Sequence, residues 1–201
     1  SSGENRNYDC PDSNFHSMDI TNKAEVENVI SATCPTHIIH TAAITNVDYC
    51  ELNPKECEEV NVIATKFLAD VCKKKNIYFQ FLSTDFVFDG VKGNYAEEDE
   101  VNPVSIYGKS KADVEKYLIE SESENWSIVR TIIVYGKGNN LSRSNLVVWA
   151  KESLEKGIEM KIIDDQFRAP TFVDDLAIAC LAIIEKNKKG IFNISGPMSF
   201  S

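Results

Sequence analysis

The chain has 201 residues, 43% hydrophobic and 26% charged, with 21 Lys plus Arg against 31 Asp plus Glu and a net charge of −10. Such a composition excludes a disordered chain, and nine Gly with six Pro exclude a collagen-like polymer. An acidic chain without a basic stripe is a poor partner for a nucleic-acid polymer, which is held by Lys and Arg displacing counterions, and no apolar run approaches the ~18 residues of a membrane span.

The polar start, Ser1 to Tyr8, carries no secretory signal. Ala24, Val26, Val29 and Ile30 predict a helix over Thr21–Ala32, and a strand follows over His37–Ala43. The next helix opens at Asn53-Pro54-Lys55-Glu56, with Asn53 as N-cap, Pro54 at the first helical position and Glu56 reaching back. Its stripe is Cys57, Val60, Ala64, Phe67, Leu68 and Val71. It closes on Lys73-Lys74-Lys75, a solvated end that suits the helix dipole. Then come a strand over Ile77–Leu82, an acidic, turn-rich surface loop over Asp89–Pro103, and a helix over Ser105–Ser121. A strand over Ser127–Val134, a helix over Asn145–Lys156, a strand over Met160–Ile163, a helix over Val173–Lys186 and a strand over Ile191–Ile194 complete the pattern. Strand alternating with helix implies an α/β fold, a Rossmann-like doubly wound parallel sheet with helices on both faces. No linker interrupts it, so residues 1–201 read as one domain. The six cysteines, Cys10, Cys34, Cys50, Cys57, Cys72 and Cys180, show no metal spacing and read as buried, reduced thiols of a cytoplasmic protein.

In open α/β sheets ligands bind beyond the carboxyl ends of the strands. His40 to Thr45, Ser83 to Phe86 and Val134 to Gly136 occupy those places. The sharper feature is Tyr107-Gly-Lys-Ser-Lys111. On a helix Tyr107 and Lys111 share one stripe with Val114 and Leu118. A buried ammonium costs several kcal/mol unless compensated, which suggests a use. A cation beside a phenol lowers a pKa that starts near 10, so that Tyr107 passes a proton near neutral pH. The plainer alternative is a snorkelling Lys111 beside a half-buried Tyr107. His40 reads as a satisfied core histidine and Asn61 as a structural hydrogen-bonder.

These pieces occur in an order that resembles the extended short-chain dehydrogenase/reductases, and within them the dTDP-4-dehydrorhamnose reductases. The matching segments are Met18-Asp19-Ile20-Thr21, Pro35 to Ala43 (PTHIIHTAA), Thr45 to Glu51 (TNVDYCE), Val60-Asn61 and Ser83 to Gly90 (STDFVFDG). They continue with Pro103 to Lys111 (PVSIYGKSK), Arg130 to Gly136 (RTIIVYG), Asp164 to Thr171 (DDQFRAPT) and Asp175-Leu176-Ala177. The resemblance implies reduction of the 4-keto group of a nucleotide-linked deoxysugar, with NADPH preferred and NADH as the other cofactor. Thr84, Tyr107 and Lys111 would be catalytic. Asp19 and Ile20 would flank the adenine, Thr41, Ala42 and Ala43 would line phosphates and ribose with Lys111, and Ile133 would lie against the nicotinamide. Thr45, Asn46, Asp85, Gln166 and Arg168 would contact the sugar nucleotide. A small C-terminal substrate-binding part would come from about residues 137–172 and 191–201. A homodimer is left open.

Three departures stand out. Phe86 replaces a Tyr common in the reductases. The family's opening strand and Gly-x-x-Gly-x-x-Gly turn are absent, so this chain alone is expected to bind the cofactor weakly, and the whole protein to extend upstream by about 25–35 residues. At its other end, Ile194-Ser195-Gly196 is where the family usually continues. Ser1, Ser2 and Arg6 suit a 2′-phosphate, although Glu4 is nearby. The rival readings are another sugar-nucleotide enzyme of the family, an epimerase or dehydratase, and a non-catalytic nucleotide-binding regulatory subunit.

Overall fold

The structure is a computed structural model that describes residues 14–136, 146–160 and 165–200. Its core is a four-stranded parallel sheet in the order β1-β2-β3-β6, formed by β1 (His37–His40), β2 (Tyr78–Thr84), β3 (Trp126–Thr131) and β6 (Gly190–Ile194). Parallel strands need crossovers, and helices supply them: α4 (Ala64–Lys74) leads into β2, α5 (Ile106–Ile119) into β3 and α7 (Val173–Glu185) into β6. The expected doubly wound arrangement is present.

Strand side chains alternate between faces. Phe79, Phe81 and Ile128 point to one side, where Val26 and Ile30 of α1 (Lys23–Thr33), Leu68 and Cys72 of α4, and Val114 and Leu118 of α5 cover them. Leu82, Val129 and Phe192 point to the other, against Leu176, Cys180 and Ile183 of α7. None of the five described cysteines, Cys34, Cys50, Cys57, Cys72 and Cys180, forms a disulfide, and all but Cys34 are buried. Among the described residues no helix is long and apolar enough to cross a membrane.

Several expected elements are corrected. α1 begins at Lys23, two residues later than expected, and is capped by Asn22, which accepts from the Glu25 N–H. A short helix that the pattern did not announce, α2 (Val47–Leu52), follows β1. Asn53 makes no side-chain cap for α3 (Pro54–Cys57), because its amide donates to the Tyr49 carbonyl at 3.0 Å. Glu56, expected to reach back, accepts from the Tyr49 hydroxyl at 2.7 Å instead. The long helix expected beyond Asn53 is interrupted by a π-helical turn, Glu58–Ile63, before α4 begins. The strand expected over Ser127–Val134 stops at Thr131. Ile133 takes a left-handed φ of 33°, and Val134–Tyr135 (β4) leaves the sheet to pair with Thr171–Phe172 (β5). A β-branched residue resists that conformation, so the kink is imposed by tertiary contacts. The Thr171 N–H donates to the Ile133 carbonyl at 3.1 Å and the Thr171 hydroxyl to the Ile132 carbonyl at 2.8 Å. α6 (Leu146–Glu155) lies near its expected place. Of the expected strand Met160–Ile163, only Met160 is described, and it lies in no strand. Ser1, Ser2, Glu4, Arg6, Cys10, Asn145 and Asp164 lie outside the described residues.

Candidate active site

The carboxyl ends of β1 and β2 and the first turn of α5 converge. Ser105 caps α5, accepting from the Gly108 N–H at 3.0 Å, and the Glu51 carboxylate accepts from the Ile106 N–H at 2.7 Å. Gly108 lets the helix approach the segment after β2. A Cβ there would sit 2.2 Å from the Phe86 carbonyl oxygen, a distance that no side chain tolerates. The close approach brings Tyr107 beside Thr84. Tyr107 packs with Cys50 and Cys57, and its ring meets Phe86 edge-on at 5.8 Å. Thr84 ends β2, accepting from the Phe86 N–H at 3.3 Å and donating to Asp85 at 3.1 Å. Burial pushes the Tyr107 phenol up to about 12, while the Thr84 hydroxyl beside it acts the other way. The expected lowering of that pKa by Lys111 is therefore corrected. Lys111 turns its ammonium to the Leu82 carbonyl at 2.9 Å and stands 4.7 Å over the Phe81 ring. Lys111 does not snorkel. It is 4% exposed, and burial takes its pKa down to about 8, with Glu115 opposing.

The loop after β1, residues 41–46, is held from beneath. Asn61, 1% exposed in the π-helical turn, clamps the Ile44 backbone, accepting from its N–H at 2.8 Å and donating to its carbonyl at 3.0 Å. The same amide reaches the Ser110 hydroxyl at 3.2 Å on α5. The π turn thus fixes the loop of Thr41, Ala42, Ala43 and Thr45 relative to the helix of Tyr107 and Lys111. A structural role for Asn61 fits this geometry. Asn46 is the N-cap of α2, accepting from the Tyr49 N–H at 3.4 Å.

His40, at the end of β1, shares a hydrogen bond with the Thr65 hydroxyl at 3.0 Å and stacks on Phe79 and Phe81. Burial, and then the Lys111 charge, lower its pKa to about 3. The unfolded chain takes up a proton near pH 6.5 that the folded chain refuses. Stability from this residue is full above that pH and is lost as pH falls toward 3, at up to about 1.4 kcal/mol per unit. His40→Gln should flatten the acid side of a plot of urea midpoint against pH. An unchanged slope would show that the folded ring is protonated readily.

Of the residues expected around the sugar nucleotide, three meet. Arg168 lies 3.5 Å from the Asp85 carboxylate, donates to the Gln166 side-chain carbonyl at 2.9 and 3.2 Å, and covers Phe86 at 5.2 Å. Burial raises the pKa of Asp85, and Arg168 partly offsets it. The Arg168 backbone pairs with Phe200 in an isolated antiparallel bridge, which holds this segment against the chain's last described residues. Asp19 and Ile20 lie elsewhere, just before α1. Asp19 is exposed and turns on itself, accepting from the Thr21 N–H at 2.9 Å and hydroxyl at 2.8 Å, which lowers its pKa. Ile133 stands at the kink between β3 and β4.

Comparison with known proteins places this geometry in a family. The model of the RmlD substrate binding domain matches residues 2–201. The dTDP-4-dehydrorhamnose reductase of Aggregatibacter actinomycetemcomitans is 34% identical over 96% of this chain and 66% of its own length. Methionine adenosyltransferase 2 subunit beta of Xenopus laevis is 30% identical over 90% of this chain and 56% of its own. The chain thus spans 56–66% of these two curated relatives. The crystal structure of dTDP-4-dehydrorhamnose reductase from Bacillus anthracis in complex with NADP superposes with a TM-score of 0.84, at 29% identity over 96% of this chain and 69% of that one. With the parallel sheet, the convergence of Thr84, Tyr107 and Lys111, and a family match over nearly every residue, the chain belongs to the RmlD substrate binding domain family.

Proposed function

We propose that this chain is part of an NADPH-preferring reductase acting on the 4-keto group of a nucleotide-linked deoxysugar, of the dTDP-4-dehydro-L-rhamnose to dTDP-L-rhamnose type, with NADH as the weaker alternative. The observation that carries the reading is the Tyr107 phenol beside the Thr84 hydroxyl where β2 ends, with Lys111, one turn on along α5, buried against the Leu82 carbonyl. The donor set fits a nicotinamide cofactor's ribose half: Leu82 takes one of the three ammonium protons of Lys111, and Thr41, Ala42 and Ala43 offer a small-residue wall beyond β1. When bound, the cofactor supplies the hydride.

The chain's residues do the rest. The Tyr107 phenol, neutral across physiological pH, donates its proton to the ketone oxygen. Thr84 donates a hydrogen bond to the same oxygen, so two donors meet the charge that develops there. Lys111 holds the ribose hydroxyls. Asp19 and Ile20 would flank the adenine, and Ile133 would lie against the nicotinamide ring. Thr45, Asn46, Asp85, Gln166 and Arg168 hold the sugar nucleotide. Arg168 is the cation of that group and suits its phosphates. The small sheet of β4 and β5, with the Arg168–Phe200 bridge, supports a substrate-binding part built from residues 137–172 and 191–201.

The test is turnover by the full-length protein, followed as loss of NADPH absorbance on adding dTDP-4-dehydro-L-rhamnose. Reduction supports the reading. NADPH binding without oxidation would favour a regulatory subunit, to which the likeness to methionine adenosyltransferase 2 subunit beta points.

A further inference from the structure

The stripe of α5 that faces the sheet turns apolar after Lys111 at Val114 and Leu118, with one exception. One turn on it presents Glu115, 1% exposed. The carboxylate accepts from the Ser83 hydroxyl at 2.5 Å, from Arg130 Nε at 3.0 and 3.1 Å, and from Arg130 Nη2 at 2.7 Å. Ser83 adjoins Thr84 on β2, and Arg130 lies opposite Ser83 in the register of β2 with β3. One buried carboxylate therefore ties the helix of Tyr107 and Lys111 to the two strands that end at the site. As a device for stability alone this is a poor choice, since apolar residues in such a slot commonly do as well or better. Its position suggests another use.

The groups that face Lys111 narrow that use. From β1 comes His40, uncharged at neutral pH, and from β2 come only the Phe81 ring and the Leu82 carbonyl. α3 contributes the Cys57 thiol, α5 contributes Glu115 and, a turn earlier, Tyr107, and β3 contributes Arg130 through Glu115. Among these groups the carboxylate is Glu115, one helical turn from Lys111 on the same buried face of α5, where its charge favours the protonated ammonium. We propose that Glu115 is a positioning residue for the reaction: clasped by Ser83 and Arg130, it is the buried counter-charge of Lys111 and holds the reactive face of α5 against the end of β2. Its meaning for catalysis rests on the reductase reading, but its test does not.

The test is a titration of the lysine side chains by carbon NMR in the full-length protein, with Lys111→Met assigning the signal. Glu115→Gln keeps the shape and an acceptor for Ser83 and removes the charge. Lys111 should then lose its proton about one pH unit lower, a roughly tenfold fall in proton affinity. The alkaline limb of the kcat/KM profile should move down with it. Ser83→Ala leaves the ion pair and strips one donor from the carboxylate, so Lys111 should shift upward by less. An unmoved Lys111 in Glu115→Gln would reduce Glu115 to a structural clamp and overturn the proposal. If Glu115→Gln does not fold, Ser83→Ala decides, and a downward or absent shift there overturns it equally. If both variants show their shifts while the wild-type protein never oxidises NADPH, the reductase reading falls and the coupling of Glu115 to Lys111 stands.

Discussion

Tyr107→Phe should lower kcat by roughly 10²–10⁴, the range for loss of a positioned general acid, while NADPH affinity and folding stay close to wild type. The substitution removes a single oxygen. The ring keeps its edge-on contact with Phe86 at 5.8 Å and its packing on Cys50 and Cys57. Gly108 still lets α5 close on the Phe86 carbonyl. What goes is the one proton that stands beside Thr84 and is retained up to about pH 12. A phenol so protonated acts as a donor, which matches reduction of a ketone better than the reverse reaction. Thr84 remains to hydrogen-bond the oxygen, so residual turnover should persist, further depressed in Thr84→Val. The measurement is single-turnover NADPH oxidation with urea unfolding of the same samples. Turnover near wild type in a folded Tyr107→Phe protein would remove Tyr107 from the chemistry.

The alternation of strand and helix was legible because each strand is a short apolar run and each long helix carries a stripe. The candidate reacting groups were proposed because they fall where strands end and helices begin, and the structure places Thr84 at the end of β2 and Tyr107 at the start of α5. Elements governed by tertiary contacts were not. The π turn at Glu58–Ile63 buries Asn61 and Val62 where the expected stripe ran through Val60, a shift that regular helical spacing does not reveal. α2 is six residues long, too short for a stripe to register. The kink at Ile133 hides in an unbroken apolar run, because Thr171, far along the chain, imposes it. Glu115 did have a signal. It lies two turns from Tyr107 on the stripe already drawn through Lys111, but a lone acidic residue on a helix ordinarily reads as solvated. Lys111 itself misled in one respect. Its charge was expected to act on Tyr107, whereas its ammonium is turned to the Leu82 carbonyl and burial governs the phenol.

Arg130→Met should cost about 3–5 kcal/mol of stability, the usual penalty for leaving a buried charge without its partner and a large share of the ~5–15 kcal/mol that holds a domain folded. Both side chains are nearly sealed, at 4% and 2% exposed. Met fills the volume but leaves Glu115 with the Ser83 hydroxyl, one contact where four stood. The loop after β2 suffers too, since Arg130 Nη1 donates to the Glu97 carbonyl at 3.2 Å and the guanidinium covers Phe88 at 5.0 Å. Urea unfolding should show this as a fall in midpoint at unchanged slope. The double variant Arg130→Met with Glu115→Met should regain most of the loss, because the stranded carboxylate goes with its partner and an apolar pair fills the slot. A double variant as unstable as the sum of the two single ones would show that the cost lies in the loop and not in the buried charge. The recovered double variant is also the sharpest separation of folding from function. It should be stable, yet its Lys111, without the carboxylate one turn away, should titrate below about 8 and leave the site discharged on the alkaline side of neutrality.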